Sequence, residues 1–203
     1  MLVYFKYKCH LYIYDAFSFI QDLGTHWRPE SKLFTKCLLL ESSNESFQSA
    51  TSSTRHNCIV YCDGCCYNNG KEYARAGIGV YWSQPELPDI SERLSGKQTN
   101  QRAELVAACR SLESALDHKL KAIEVRTDSC YTINAVSNWI SKWKRNGWKT
   151  AIGEDVKNKE DIIRLDRLNS QLDVKWIHVR GHCNEFGNEK ADKLAKAGAA
   201  LEL

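Results

Sequence analysis

Four acidic residues pose the chemical question. Asp63 and Asp128 each close an apolar, β-branched run, Ile59-Val60-Tyr61-Cys62 and Ile123-Glu124-Val125-Arg126-Thr127. A carboxylate at the end of a buried strand is costly to desolvate unless positive charge meets it. Glu104 falls near the start of a helix expected from Asn100, and Asp192 lies in a last helix expected over about 184–199, one turn from Asn188 and from Lys196. Carboxylates gathered at one sheet edge are hard oxygen donors suited to Mg²⁺ or Mn²⁺. Two such ions about 4 Å apart could activate water on one side of a phosphodiester and stabilise the leaving 3′ oxygen on the other. Each acid also has a plainer role open to it. Glu104 could be a partner of the helix dipole, Asp128 an N-cap for the turn that follows, and Asp192 half of a solvated pair with Lys196.

For these acids to meet, the strands that carry them must be neighbours. The run from Cys58 reads as a strand over about 58–64, closed by a tight bend at Gly64. A polar turn, Tyr67-Asn68-Asn69-Gly70, leads to a second strand over 75–82, and Pro85 and Pro88 precede a third near 90–94. Short polar connections make these three an antiparallel meander. Asn100 then caps a helix whose buried stripe is Leu105, Cys109, Leu112 and Leu116. That helix is a crossover, which sets the strand over 122–127 parallel to the first. Asp63 and Asp128 thereby come side by side at the strand ends where open α/β sheets keep their sites. Helical turns over 130–143, a helix over 158–170, a strand over 174–178 and the last helix complete an α/β chain. Its order is βββαβαβα, around a mixed five-stranded sheet of three antiparallel and then two parallel strands.

Length and composition bound the rest. The 203 residues fit one domain with an appendage, and 43% apolar content is ordinary for a chain with a real core. No stretch approaches the roughly 20 apolar residues needed to span a bilayer, so no membrane partner is expected. A net charge of +3 does not by itself argue for a polyanion partner; a local basic patch must do so. Nine cysteines, an odd number, read as reduced thiols of an intracellular protein. Cys62-x-x-Cys65 lacks a second ligand pair, and its two members face opposite sides of a strand, so it reads as core packing. Residues 1–57 differ in texture: an aromatic-rich stretch to Ile20 and a Ser/Thr/Asn-rich linker over 41–55, with a division near Asn57. They are expected to be a poorly ordered leader, a presequence or a divergent domain, and not a secretory signal. Residues 58–203 are then the second domain.

The local basic patch follows Asp128. Residues 139–149 carry Trp139, Lys142, Trp143, Lys144, Arg145, Trp148 and Lys149 with no acid. Cations there can hold phosphates and flat rings can pack on sugars or bases. The plainer reading is an exposed basic helix with core tryptophans, since Trp139 and Trp143 share one helical face.

Residues 58–200 resemble the catalytic domain of the type 1 ribonuclease H family, its eukaryotic members above all. The resemblance runs through Tyr61-Cys-Asp-Gly64, Gly77-Ile-Gly-Val80, Gln98-Thr-Asn-Gln-Arg-Ala-Glu104, Thr127-Asp-Ser129, Asn146-Gly-Trp-Lys-Thr150, Val179-Arg-Gly-His182 and Gly187-Asn-Glu-Lys-Ala-Asp192. It implies a ribonuclease H-like fold and an endonuclease that hydrolyses the RNA strand of RNA/DNA hybrids by a two-metal mechanism, leaving 5′-phosphate and 3′-hydroxyl ends. Asp63, Glu104, Asp128 and Asp192 would bind two Mg²⁺ ions, with Mn²⁺ as a substitute. His182 would carry a proton and help product leave. The resemblance further implies hybrid contacts by Asn69, Asn100 and Gln101 in the minor groove and by Tyr131, Trp139 and Trp143 along the DNA strand. Lys97, Thr99 and Asn158 would hold a DNA phosphate. Lys97 offers a point charge where a guanidinium fork is usual, and Ala151 replaces an expected small hydroxyl residue. A monomer in the nucleus or mitochondrion is the implied setting, with the cytoplasm open. Two competing functions share the fold: an integrase-like polynucleotidyl transferase and a non-catalytic hybrid-binding module. The Gln98–Glu104 block and the His182 loop favour hydrolysis, and the presence of all four acids argues against the binding module.

Overall fold

The computed structural model describes residues 58–181 and 183–202; the leader and linker expected over 1–57, and His182, lie outside the described residues. The elements are β1 (Cys58–Tyr67), β2 (Arg75–Trp82), β3 (Ile90–Arg93), α1 (Asn100–Asp117), β4 (Ala122–Thr127), α2 (Cys130–Asn134), a π-helical turn (Ala135–Trp139), α3 (Ile140–Arg145), α4 (Lys159–Asn169), β5 (Asp173–His178) and α5 (Phe186–Ala200). They form one sheet in the order β3-β2-β1-β4-β5. β1 pairs antiparallel with β2 and parallel with β4, and β4 pairs parallel with β5. The expected mixed sheet is therefore present, with α1 as the crossover that makes β4 parallel to β1.

Apolar side chains explain the layers. Val60, Ile78, Val80, Ile123 and Val125 of the sheet, Leu105 and Leu112 of α1, and Ile162 and Leu165 of α4 are buried in one core. Leu116, expected in that stripe, is only partly buried against it. On α5, small residues do the packing. A side chain added at Gly79 would overlap the backbone at Ala191 and Ala195, and one at Gly77 would overlap that at Ala195 and Ala199. The two glycines of β2 thus let α5 lie directly on the sheet.

Two local expectations are corrected. β1 does not bend at Gly64 but runs on to Tyr67, pairing Cys65, Cys66 and Tyr67 with Gly77, Ala76 and Arg75. Gly64 serves close approach instead, since a side chain there would overlap the backbone of Ala103 and Glu104. The reversal falls at Asn68 (φ 54°) and Gly70 (φ 84°), residues that tolerate the left-handed region. The cap of α1 is Thr99, whose hydroxyl accepts from the Arg102 N–H; Asn100 is already inside the helix. The helical turns expected over 130–143 are present, as α2, a π turn and α3. Among the described residues, no helix is long and apolar enough to cross a membrane.

Candidate active site

The parallel pairing of β1 with β4 begins at Cys58↔Ile123 and ends at Tyr61↔Arg126. Beyond it β1 continues with β2 alone, so the sheet opens just where Asp63 and Asp128 stand. Asp63 is only 9% exposed. Its Oδ1 accepts one hydrogen bond, from the Gly64 N–H at 2.8 Å. Burial and then the charge of Asp128 push its carboxyl from the ordinary 3.8 up to about 8; the Gly64 N–H pulls the other way, and Asp192 and Glu104 add to the rise. Asp63 thus feels the charge of the other three acids.

Each of the other acids has its own donor. Glu104 lies beyond the first turn of α1, which weakens the helix-dipole reading. It accepts from Asn100 Nδ2 at 2.7 Å and from the Ser129 hydroxyl at 2.6 Å. Ser129, not Asp128, caps α2, accepting from the Thr132 N–H at 3.1 Å. Asp128 Oδ2 accepts from Asn188 Nδ2 at 3.1 Å. Asp192 does make the plainer pair with Lys196, at 2.6 Å. Ser129 and Asn188 were not singled out as site residues from sequence. Both lie inside the recognised blocks, but nothing in their spacing shows which acid they serve.

In kind, four carboxylate groups on a half-buried edge fit a hard divalent cation, and Asp63 in particular meets no cation of the protein among the described residues. In spacing the set is open: among the described residues, no three Asp, Glu, His or Cys side chains stand close enough to share one ion.

The expected substrate contacts fall into three groups. The Asn100 N–H donates to Asn69 Oδ1 at 3.2 Å, tying the β1–β2 turn to the start of α1 beside Glu104, with Gln101 next along the helix. Tyr131, Trp139 and Trp143 form a run of rings, with centroids 5.6 Å apart for the first pair and 5.5 Å for the second. Trp143 also packs partly against the core, as the plainer reading had it. Lys97 and Asn158 line one open cleft with Arg102 and Asp161, while the hydroxyl of Thr99 is engaged as the cap of α1. Asn158, at φ 56°, heads α4.

His178 ends β5 next to the site, its Nε2 3.3 Å from Cys130 Sγ and 3.3 Å from the Asp128 carbonyl. The described cysteines are free thiols. Cys62 is buried in the core, which raises its thiol and agrees with packing as its role.

A family model described as RNase H matches residues 55–200. The chain is 50% identical over 141 residues to human Ribonuclease H1, covering 70% of this chain and 49% of that protein. It is 40% identical over 149 residues to the Ribonuclease H of Francisella philomiragia, covering 72% of this chain and 93% of that one. Among solved structures, the solution structure of the PFV RNase H domain is similar with a TM-score of 0.58 and 27% identity, over 70% of this chain and 93% of that domain. The chain spans about half the length of the mammalian relatives it matches.

Proposed function

Because the chain belongs to the RNase H family, we propose that it is a metal-dependent endonuclease that hydrolyses the RNA strand of RNA/DNA hybrids, leaving 5′-phosphate and 3′-hydroxyl ends. The observation that supports this best is Asp63, a buried carboxylate at the open sheet edge with a hydrogen bond from the Gly64 N–H and no ion pair among the described residues: a group in want of a cation. Asp63, Glu104, Asp128 and Asp192 would hold Mg²⁺, two ions per site, with Mn²⁺ as a substitute. When bound, the ions supply an activated water and charge stabilisation at the leaving oxygen.

The protein's own groups do the rest. Asn100 and Ser129 aim the two oxygens of Glu104, and Asn188 aims Asp128. His182 is the proton carrier that the family resemblance implies, a task suited to imidazole near neutral pH. Asn69, Asn100 and Gln101 face the minor groove, where a 2′-hydroxyl tells RNA from DNA. Tyr131, Trp139 and Trp143, with the cations of residues 142–149, line the DNA strand, and Lys97, Thr99 and Asn158 take one of its phosphates. Residues 58–203 are the catalytic domain and 1–57 a separate leader, in a protein that acts as a monomer.

Labelled hybrid, duplex RNA and duplex DNA, each offered with Mg²⁺ or with EDTA, test the proposal. Cutting of the RNA strand of the hybrid alone, and only with Mg²⁺, is expected. Cutting that survives EDTA, or that consumes duplex DNA equally well, refutes it. Joined strand-transfer products would turn the choice to a polynucleotidyl transferase.

A further inference from the structure

Asn188 is among the few buried polar residues of the chain, 3% exposed in the first turn of α5. Its amide makes one hydrogen bond to the protein, Nδ2 to Asp128 Oδ2 at 3.1 Å. Its other end, Oδ1, is buried with no donor among the described residues. A buried amide oxygen without a partner destabilises a fold. A residue that carries this penalty in the interior is best explained by what its other end does.

Gly181 meets the same carboxylate oxygen. A Cβ built there would overlap Asp128 Oδ2, so the backbone at Gly181 sits against Asp128, and a larger residue would push the carboxylate off its present pose. The need is for space: Gly181 is not among the residues in the left-handed region.

The start of α5 is itself pinned. Glu185, the residue before the helix, accepts from the Tyr61 hydroxyl at 2.7 Å and pairs with Arg126 at 3.4 Å. Gly187 lies against the Tyr61 ring so closely that a side chain would overlap it. Tyr61 and Arg126 are the last residues at which β1 and β4 pair. The helix turn that carries Asn188 is thus anchored to the two strands whose ends carry Asp63 and Asp128.

We infer that Asn188 and Gly181 are positioning residues that fix the pose of the Asp128 carboxylate, Asn188 by donating to Oδ2 and Gly181 by leaving room for it. The inference rests on the reading of Asp128 as a metal-binding acid. Groups that orient a ligand from behind typically change metal affinity or activity by about 10–100-fold when removed.

The test uses the full chain with Asn188→Leu, which keeps the size of the side chain without donor or acceptor, and Asn188→Ala. Three quantities are read: thermal melting in EDTA, calorimetric titration of the hybrid-free protein with Mg²⁺, and kcat and KM for hybrid against Mg²⁺ concentration. Both variants should bind Mg²⁺ about 10–100-fold more weakly and lose kcat in the same range, with KM for hybrid little changed. Asn188→Leu should melt at or above the wild-type temperature, because the orphan oxygen is gone. Gly181→Ala should weaken Mg²⁺ binding in the same way. If Asn188→Leu keeps wild-type Mg²⁺ affinity and kcat while Asn188→Ala loses them, Asn188 only fills space and the inference fails. Should Asn188→Leu not fold, Asn188→Ala and Gly181→Ala decide: wild-type Mg²⁺ binding in both overturns it. If the wild-type protein binds Mg²⁺ but does not cut hybrid, the functional reading falls while the calorimetry still judges Asn188.

Discussion

Replacing Asp63 by Asn should stabilise the metal-free protein while slowing cleavage severely. Between the ordinary 3.8 and about 8 lie roughly four pH units, and at about 1.4 kcal/mol for each full ionisation of Asp63 penalises the folded state by on the order of 5 kcal/mol. The sign follows from proton binding. Between these two values the folded state holds the proton and the unfolded state does not, so stability falls as pH rises from about 4 to about 8 and then levels. The neutral amide of the Asp63→Asn variant carries no such penalty. With about 2–4 °C per kcal/mol for a domain of this size, the variant should melt about 10–20 °C above wild type at pH 8 in EDTA. The gap should close on acidification towards pH 4, where Asp63 is neutral in both states, provided both proteins remain folded. Mg²⁺ should raise the wild-type melting point by mass action on the folded state and raise that of the variant less. Losing several kcal/mol of charge stabilisation in the transition state corresponds to a cleavage rate lower by on the order of a thousandfold. A gap that does not vary with pH, or an Asp63→Asn variant that cuts hybrid at the wild-type rate, would refute the assignment of Asp63.

Three further outcomes are expected. A protein beginning near Asn57 should fold and cut hybrid at nearly the full single-turnover rate, because all four acids and the five described strands lie after that point; a melting point lowered by many degrees would show that the leader belongs to the catalytic domain. Lys142→Ala should weaken hybrid binding and reduce its salt dependence by about one counterion. Lys144→Ala should do so less, because Lys144 is already paired with Asp166 at 2.9 Å; equal effects in filter binding across a salt series would contradict this. Burial pushes the Glu113 carboxyl up, but the guanidinium groups of Arg164 and Arg110 outweigh it and hold the group below the usual range. The stability this contributes is present above the unfolded carboxyl's titration and is lost as pH falls through the folded one. Glu113→Gln should therefore lower stability at pH 7 by on the order of 1–3 kcal/mol, read as a lower melting point, and the difference should fade in acid.

What could be read from the sequence was what local chemistry decides. The strands were legible because β-branched apolar runs have few other uses, and the parallel setting of β4 followed from a helix of crossover length. Asp63 and Asp128 stood out because a carboxylate ending such a run needs a reason. Local signals failed where two neighbouring residues could serve equally. Thr99 and Asn100 are both good caps, and only the β-region backbone of Thr99 (φ −142°, ψ 149°) decides between them. Gly64 fits a turn as well as a strand, and it is the backbone of α1 lying against it that makes it a strand residue. The π turn before α3 carries no composition mark at all.

The donors that aim the acids were hidden for a different reason. Ser129 reaches Glu104 across 25 positions of chain, and Asn188 reaches Asp128 across 60; neither pairing has a spacing to recognise. An acid announces itself because its burial is a local fact, whereas its partner is set by which helix the completed sheet brings over it. Here that helix is α5, laid close on β2 by Gly77 and Gly79 and held at its start by Tyr61 and Glu185. The glycines and the tyrosine that look like packing residues are, through Asn188, what carries the geometry of the sheet to the carboxylate at its open edge.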